Sequence, residues 1–412
     1  MSDTQSEQAP APRRAALAFI FVTVLLDMLA LGMVIPVLPK LVEDFVNNDT
    51  AAAAWIFGIF GTVFALMQFI FSPVAGALSD RFGRRPVVLL SNLGMGLDYI
   101  LMALAPNLVV LFVGRVISGV TSASITTAFA YIADVTAPDK RAKAFGLLGA
   151  AFGAGFVLGP AIGGLLASFG PRTPFWVAAA FSLANAAYGA FVLPESLKKA
   201  DRAKFHWRKA NPFGSMALLR SKPGLFELAF SNFLAFLAHN VLQTVFVLYA
   251  GYRYGWDATT VGLTLAAIGV CFSLVQAVLV GHVVSRFGER VSLMLGLTFG
   301  TLGFIIYGLA PNSFWFWAGV PIMSLWGLSG PAIQGLMTRR VSASEQGQLQ
   351  GANNSLTGIG NMIGPVIFSA VFAESIGAFR DWNVPGAAFL LAALFLLASA
   401  VVAWHATRPR NA

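Results

Sequence analysis

GALSDRFGRRPVVLL, residues 76–90, returns as GHVVSRFGERVSLML at residues 281–295, an offset of 205 positions. The same offset carries Ala105-Pro106-Asn107 onto Ala310-Pro311-Asn312, and Gly159-Pro160 onto Gly364-Pro365. One shared tripeptide is an easy coincidence, but three matches in register across half a chain mark an internal duplication. Around these matches the sequence is built of long apolar runs separated by short polar or glycine-rich breaks. Of the 412 residues 57% are hydrophobic and 11% charged, a balance that needs lipid as its solvent.

A bilayer core takes about 20 apolar residues of helix to cross. Twelve runs meet that length, at 16–38, 52–78, 86–105, 109–132, 143–169, 174–193, 223–250, 258–284, 290–309, 313–337, 347–373 and 384–404. They are too long and too continuously apolar for the alternating strands of a barrel. The fold class expected is an all-α integral membrane protein of twelve spans in two six-helix repeats. An even number of spans per repeat keeps both copies in the same orientation, which is the parallel type of duplication. The domains expected are a tail over 1–15, a first bundle over 16–193, a central loop over 194–222, a second bundle over 223–404 and a tail over 405–412. The Lys-Lys-Ala-Asp-Arg-Ala-Lys stretch of the central loop suits a solvated segment with a short amphipathic helix at the membrane surface.

The net charge of +9 raises the question of a nucleic-acid partner, and the placement of the charges answers it. With a cytoplasmic N-terminus, 22 of the 27 Lys and Arg fall on the cytoplasmic side, eight of them in the central loop. Lys40, Arg172, Arg253 and Arg380 fall outside, and Arg115 lies within a span. This is the positive-inside asymmetry, so the basic balance is topological, both termini are expected in the cytoplasm, and no nucleic acid is implied. The first fifteen residues lack the apolar core of a cleaved signal, which leaves the first span to act as its own insertion signal. The single cysteine, Cys271, permits no internal disulfide, and His206, His239, His282 and His405 are too scattered for a metal site. No phosphate-cradling loop or nucleophile and base pair is found in the spans, so neither a cofactor nor an enzyme is expected, and no filter sequence points to a channel.

An ionisable side chain within a span costs several kcal/mol unless it is paired or wetted, so the few present direct attention to the chemistry. Asp27 stands about eleven residues into span 1 with no acid or base one helical turn away. It is the expected site of proton exchange, neutralised by protonation rather than by pairing. Asp98 and Arg115 each lie about eight residues from the turn at Pro106-Asn107. With about 1.5 Å of rise per residue they come to the same depth on an antiparallel pair, where protonating Asp98 would break an ion pair. The same pair also fits a structural clamp between spans 3 and 4. Glu227, only a turn into span 7, reads as interfacial. In the second half the polar groups are neutral or aromatic, and His239, Asn240, Gln243, Gln276, Trp326 and Asn361 are candidates to line a substrate cleft, or equally to make interhelical hydrogen bonds. An aromatic content of 13% suits a small amphipathic ligand.

Several motifs resemble those of the major facilitator superfamily. The stretch Gly76, Asp80, Arg81, Gly83, Arg84, Arg85 and Pro86 is similar to its signature loop between spans 2 and 3. Arg115-Val-Ile-Ser-Gly119 is similar to its span 4 motif. The spacing of Gly146, Gly155, Gly159, Pro160, Gly163 and Gly164 resembles the span 5 motif of drug/proton antiporters. Asp27, Leu31-Gly32 and Pro36-Val-Leu-Pro39, with Gly96-Leu97-Asp98-Tyr99, Tyr254-Gly255-Trp256 and residues 345–351, narrow the likeness to the tetracycline/proton antiporters. Those exporters carry a histidine in span 8 and an acid in span 9, where this chain reads Val270-Cys271-Phe272-Ser273 and Met294-Leu295-Gly296-Leu297.

The resemblance implies a bacterial inner-membrane protein, functional as a monomer, that exports a lipophilic or amphipathic compound in exchange for protons by alternating access. Proton-coupled uptake of a small metabolite or organic ion by the same fold is the alternative. It also implies that Asp80, with Arg84 and Arg85, forms a charge latch at the cytoplasmic face, reaching the positive N-terminal end of span 11. The span 5 glycines, on either reading, let helix backbones approach closely.

Overall fold

A computed structural model of the chain describes residues 11–122, 124–136, 140–197, 202, 218–342 and 345–408. Most of the central loop, including all but Arg202 of the Lys198–Lys204 stretch expected to form a surface helix, lies outside the described residues. Sixteen α-helices are described: α1 (Ala11–Val34), α2 (Leu38–Phe45), α3 (Thr50–Phe82), α4 (Arg84–Leu104), α5 (Leu108–Thr121), α6 (Ser124–Val135), α7 (Arg141–Ala167), α8 (Thr173–Val192), α9 (Leu225–Thr244), α10 (Phe246–Tyr254), α11 (Ala258–Leu274), α12 (Val280–Leu309), α13 (Ser313–Ser324), α14 (Ser329–Thr338), α15 (Gln346–Ile376) and α16 (Ala387–Ala406).

The duplication is visible in the way these helices begin. Asp49 opens α3 by accepting from the Ala52 amide at 3.0 Å, and Asp257 opens α11 by accepting from the Thr260 amide at 2.8 Å. Asn107 opens α5 through the Val110 amide at 3.0 Å, and Asn312 opens α13 through the Trp315 amide at 3.3 Å. Each side chain satisfies one of the amides that a helix start leaves without an internal partner. At Asp257 the bonds from the Thr260 hydroxyl and amide hold the carboxyl below the usual carboxylate range. The paired polar turns at Gly83 and Gly288 both require the left-handed region, with φ of 108° and 79°.

Nine stretches among the described residues are long and apolar enough to cross a membrane, and a tenth helix, Leu108–Thr121, is apolar but shorter. One of the nine, Ala258–Leu309, folds back at Gly288 and supplies two rods. The fourth and tenth rods are interrupted helices, α5 with α6, and α13 with α14 across a 3-10 turn at Leu325–Leu328. Twelve rods result. The first breaks between α1 and α2 at Pro36, whose ring excludes an amide donor, and the eighth contains a π turn at Val275–Leu279.

Small residues set how closely the rods approach. A Cβ added to Gly159 of α7 would stand 2.7 Å from the Gly32 Cα of α1, and one on Gly163 would stand 2.2 Å from the Met33 carbonyl oxygen. Backbone meets backbone there, which is what small-residue spacing achieves where helices have no hydrophobic drive to associate within lipid. In the second half the α9–α16 pair is joined by Ser231 and Ser399, whose hydroxyls lie 2.8 Å apart. Large apolar side chains such as Leu90, Phe191 and Phe314 remain exposed on the outside of the bundles, a belt that only lipid would cover.

The two bundles touch mainly through α7 with α11 and α3 with α15. Thr259 donates to the Gly164 carbonyl at 3.0 Å, and Thr62 to the Met362 carbonyl at 2.7 Å. Cβ atoms on Gly164, Gly58 and Gly61 would collide with Ala258, Ser369 and Pro365 of the other bundle. All of these contacts lie toward the face that carries Asn107. Toward the opposite, Gly83 face, a Cβ on Gly146, Gly149, Gly153 or Gly330 would meet nothing within 4 Å. Among the described residues the bundles are therefore closed together at the Asn107 face and splayed at the Gly83 face. Gly146 departs from its expected role as a close-packing glycine because it borders the splayed end, whereas Gly155, Gly159, Gly163 and Gly164 are all tightly covered.

Candidate functional site in the two bundles

Asp98 of α4 and Arg115 of α5 meet at one depth, as their distances from the Asn107 turn require. Arg115 Nη2 lies 3.8 Å from Asp98 Oδ2, with the Asp98 side chain fully buried and that of Arg115 11% exposed. This is a long ion pair, and its neighbours fill in around it. Arg115 Nη2 donates to Ser118 Oγ at 3.1 Å and contacts Met102 Sδ at 2.9 Å, and the guanidinium lies 5.7 Å from the centre of the Phe64 ring. The Ser118 hydroxyl donates to Asp98 Oδ2. Close approach of the carboxylate depends on Gly114, where a Cβ would stand 3.0 Å from Asp98 Oδ1.

Asp27 of α1 is 2% exposed. The expectation of a carboxylate without a partner needs correction, because an uncharged amide from another span is aimed at it. Asn185 Nδ2 of α8 donates to Asp27 Oδ1 at 3.2 Å and to the Thr23 carbonyl at 3.2 Å, while Thr23 Oγ1 donates to Asn185 Oδ1 at 3.1 Å. Nothing on span 1 itself reveals Asn185; the signal in the sequence is an uncharged amide within the apolar span 6.

The turn at the Gly83 face is assembled from four segments. Arg84 pairs with Asp80 at 2.5 Å and with Asp134 of α6 at 3.1 Å, and its Nη1 donates to Ser79 Oγ at 2.7 Å. Among the described residues the ion-pair partner of Asp80 is thus Arg84, within its own bundle, and the expected reach to the start of span 11 is not made in this conformation because the bundles are splayed there. Arg85 donates to the Ala190 carbonyl at 2.5 Å, and the exposed Arg81 guanidinium lies 5.0 Å from the centre of the Phe82 ring. Glu195 is an addition that the sequence reading missed. Its Oε1 accepts from the Arg84 amide at 2.8 Å and the Leu197 amide at 3.1 Å, and its Oε2 from the Arg85 amide at 3.3 Å. The carboxylate therefore sits on the positive end of α4. Gly83 is required twice over, by its φ of 108° and because a Cβ there would stand 2.2 Å from Glu195 Oε2.

In the second bundle the non-α turns of the eighth and tenth rods are tied together, Gln276 Nε2 donating to the Gly327 carbonyl at 3.1 Å. The 3-10 turn places the half-buried Trp326 ring 5.6 Å from the His239 ring, which lies 6.1 Å from that of Phe236. Interruptions of this kind inside helices recur at functional sites. Asn240, by contrast, faces away, buried under Gly364 and donating to the Phe236 carbonyl at 3.1 Å one turn back on its own helix. Gln243 is exposed and Asn361 half-buried. The structure thus brings His239, Trp326 and Gln276 into one neighbourhood and assigns Asn240 to packing. No cluster of three or more His, Cys, Asp or Glu side chains able to hold a metal occurs among the described residues.

Comparison with known proteins gives the same frame. The family model of the Major Facilitator Superfamily matches residues 20–365 and 228–412. The tetracycline resistance protein of class C from Escherichia coli is 39% identical over 93% of this chain and 95% of its own length, and that of class B from Escherichia coli is 36% identical over 88% and 89%. Among solved structures, a bacterial homolog of the human lysosomal transporter Spinster superposes with a TM-score of 0.78 at 18% identity, covering 97% of this chain and 98% of that one. With two bundles related by duplication, a family model that spans both, and relatives matched nearly end to end, the chain belongs to the major facilitator superfamily.

Proposed function

We propose that this protein is a secondary transporter that exports an amphipathic, drug-like compound in exchange for protons by alternating access. The observation that carries the reading is the Asp98–Arg115 pair, a fully buried carboxylate held by a long contact of 3.8 Å within the bilayer-spanning part of the first bundle. Titration of Asp98 removes one side of that pair, which gives a proton leverage over helix arrangement. Asp27, held by Asn185 from another rod, is a second carboxylate whose titration alters an interhelical contact. The tightly packed antiporter-type glycines of α7 and the relatives named for tetracycline resistance support export as the direction.

The excess of Lys and Arg assigns the Gly83 face to the cytoplasm, so the described conformation opens inward and both termini are cytoplasmic. A bacterial inner membrane and a working monomer complete the reading. The aromatic surface of Phe236, His239 and Trp326 suits a planar, amphipathic substrate. Everted vesicles carrying a pH-sensitive dye test the proposal, with tetracycline and ethidium as first probes. Substrate-dependent proton efflux from acidified vesicles, with accumulation of the probe, is the expected result. Accumulation indifferent to collapse of the pH gradient would remove proton coupling.

A further inference from the structure

The ion pair in the first bundle has a hydroxyl built into it. Ser118 Oγ accepts from Arg115 Nη2 at 3.1 Å and donates to Asp98 Oδ2, while the two charged atoms themselves stand 3.8 Å apart. Residues 115 and 118 are one turn apart on α5 and share a face, so the serine stands between its own arginine and the carboxylate of the neighbouring helix. Asp98 Oδ1 and Arg115 Nε are buried and make no hydrogen bond among the described residues. The carboxylate therefore communicates with its cation largely through the serine.

The duplication provides an internal control. The offset of 205 carries Asp98 to Gly303, Arg115 to Val320 and Ser118 to Met323. The equivalent helices of the second bundle cross at the same place, where a Cβ on Gly303 would stand 2.7 Å from Met323 Sδ. This helix crossing is thus built a second time without acid, base or hydroxyl, and packing alone does not demand Ser118.

We propose that Ser118 is a positioning residue for proton coupling, a hydroxyl switch that reports the protonation state of Asp98 to Arg115; this rests on the proton-coupled reading above. With Asp98 charged, the serine hydrogen points to Oδ2 and a lone pair faces Arg115. When a proton binds at Oδ2, one O–H bond forms and the carboxylate charge is lost. The new O–H then donates to Ser118, and the serine hydrogen turns back to the Gly114 carbonyl one helical turn earlier. Thr121 on the same helix already bonds in this way, to the Ile117 carbonyl at 2.9 Å. Arg115 loses its counter-charge and is released to move. Departure of the same proton reverses each step. Of the helices packed against α4, α5 supplies Arg115, while Tyr188 of α8, Tyr131 and Asp134 of α6, and Asp80 and Arg81 of α3 all lie toward the Gly83 end. On α4 itself the buried Tyr99 adjoins Asp98 in sequence.

The test compares Ser118→Ala, Ser118→Thr and Ser118→Cys with the native protein in proteoliposomes, following tetracycline or ethidium transport and the accompanying proton flux from pH 5 to pH 9. Loss of a hydrogen bond donated to a carboxylate favours the protonated form, so the pH midpoint of transport in Ser118→Ala should rise by about one unit. The maximal rate should fall by about tenfold with KM little changed, threonine should restore the native profile, and cysteine, a weaker donor, should fall between. A native pH profile in a folded Ser118→Ala overturns the inference while native proton exchange keeps the coupling reading intact. Absence of proton exchange in the native protein overturns both. Should Ser118→Ala not fold, a native midpoint in Ser118→Cys counts equally against the switch.

Discussion

Asp27 illustrates how a single residue can be legible in kind and illegible in setting. A carboxylate eleven residues into an apolar run declares itself in one dimension, because its burial is costly whatever surrounds it. Its neighbour Asn185 lies 158 positions away and belongs to a rod whose face is fixed only by packing. Replacing Asp27 by Asn keeps the shape and removes the titration, so Asp27→Asn should abolish substrate-induced proton release and uphill export while leaving downhill exchange measurable. Uphill export with an ordinary pH dependence, in protein of matched expression and thermal stability, would remove Asp27 from the coupling route. Asn185→Leu should leave the acid in place and remove the amide that Asn185 donates to it. Its expected signature is a shifted pH profile with transport retained. The Asp98–Arg115 pair was more fully readable, since two residues equidistant from one short turn must face the same depth on antiparallel helices.

Among the helices, α7 separates two uses of glycine that look alike in sequence. At Gly159 a methyl group would press on the Gly32 backbone, and backbone cannot turn aside. Gly159→Ala should therefore destabilise the folded protein by about 1–3 kcal/mol, seen as a lower midpoint in detergent thermal unfolding. Gly146 has open space at the Gly83 face, so Gly146→Leu should leave that midpoint unchanged and slow turnover by obstructing closure of the splayed end. An equal loss of stability in both would mean that the two glycines serve one packing role.

The Gly83 turn makes the same point about distance in sequence. The motif announces a structured loop, yet the carboxylate that seats on its helix comes from Glu195, more than a hundred residues later. Glu195→Ala should slow transport several-fold and increase labelling of a cysteine at Arg85, whereas Glu195→Gln, which keeps an acceptor, should do so less. Unchanged labelling and rate in Glu195→Ala would reduce the contact to a local cap. The interruptions of the fourth, eighth and tenth rods carried no such announcement, because glycine and serine in an apolar run are compatible with a continuous helix as well as with a broken one.

For the whole molecule, the duplicated frame and the fold class were legible because the hydropathic pattern and the three matched segments constrain the chain globally. The division of chemistry between halves was legible only in part. Asp98 and Arg115 have Gly303 and Val320 as their counterparts, so the ion pair belongs to the first bundle alone, while His239 and Trp326 approach each other in the second. Orientation follows from the loop charges, and a membrane-impermeant thiol reagent applied from outside should label cysteines placed at Asn107 and Asn383 but not at Arg286. The reverse pattern would invert the assignment of the open face to the cytoplasm.

The coupling of export to protons through the first bundle is tested most directly in proteoliposomes that contain only the purified protein, with an imposed pH gradient as the sole energy source and tetracycline or ethidium as the probe. The native protein should concentrate the probe in the acidic lumen and lose that accumulation when the gradient is collapsed, and Asp98→Asn should fail to concentrate it at all while remaining folded. Equal accumulation with and without the gradient would contradict proton coupling, and equal accumulation in Asp98→Asn would contradict its passage through the Asp98–Arg115 pair.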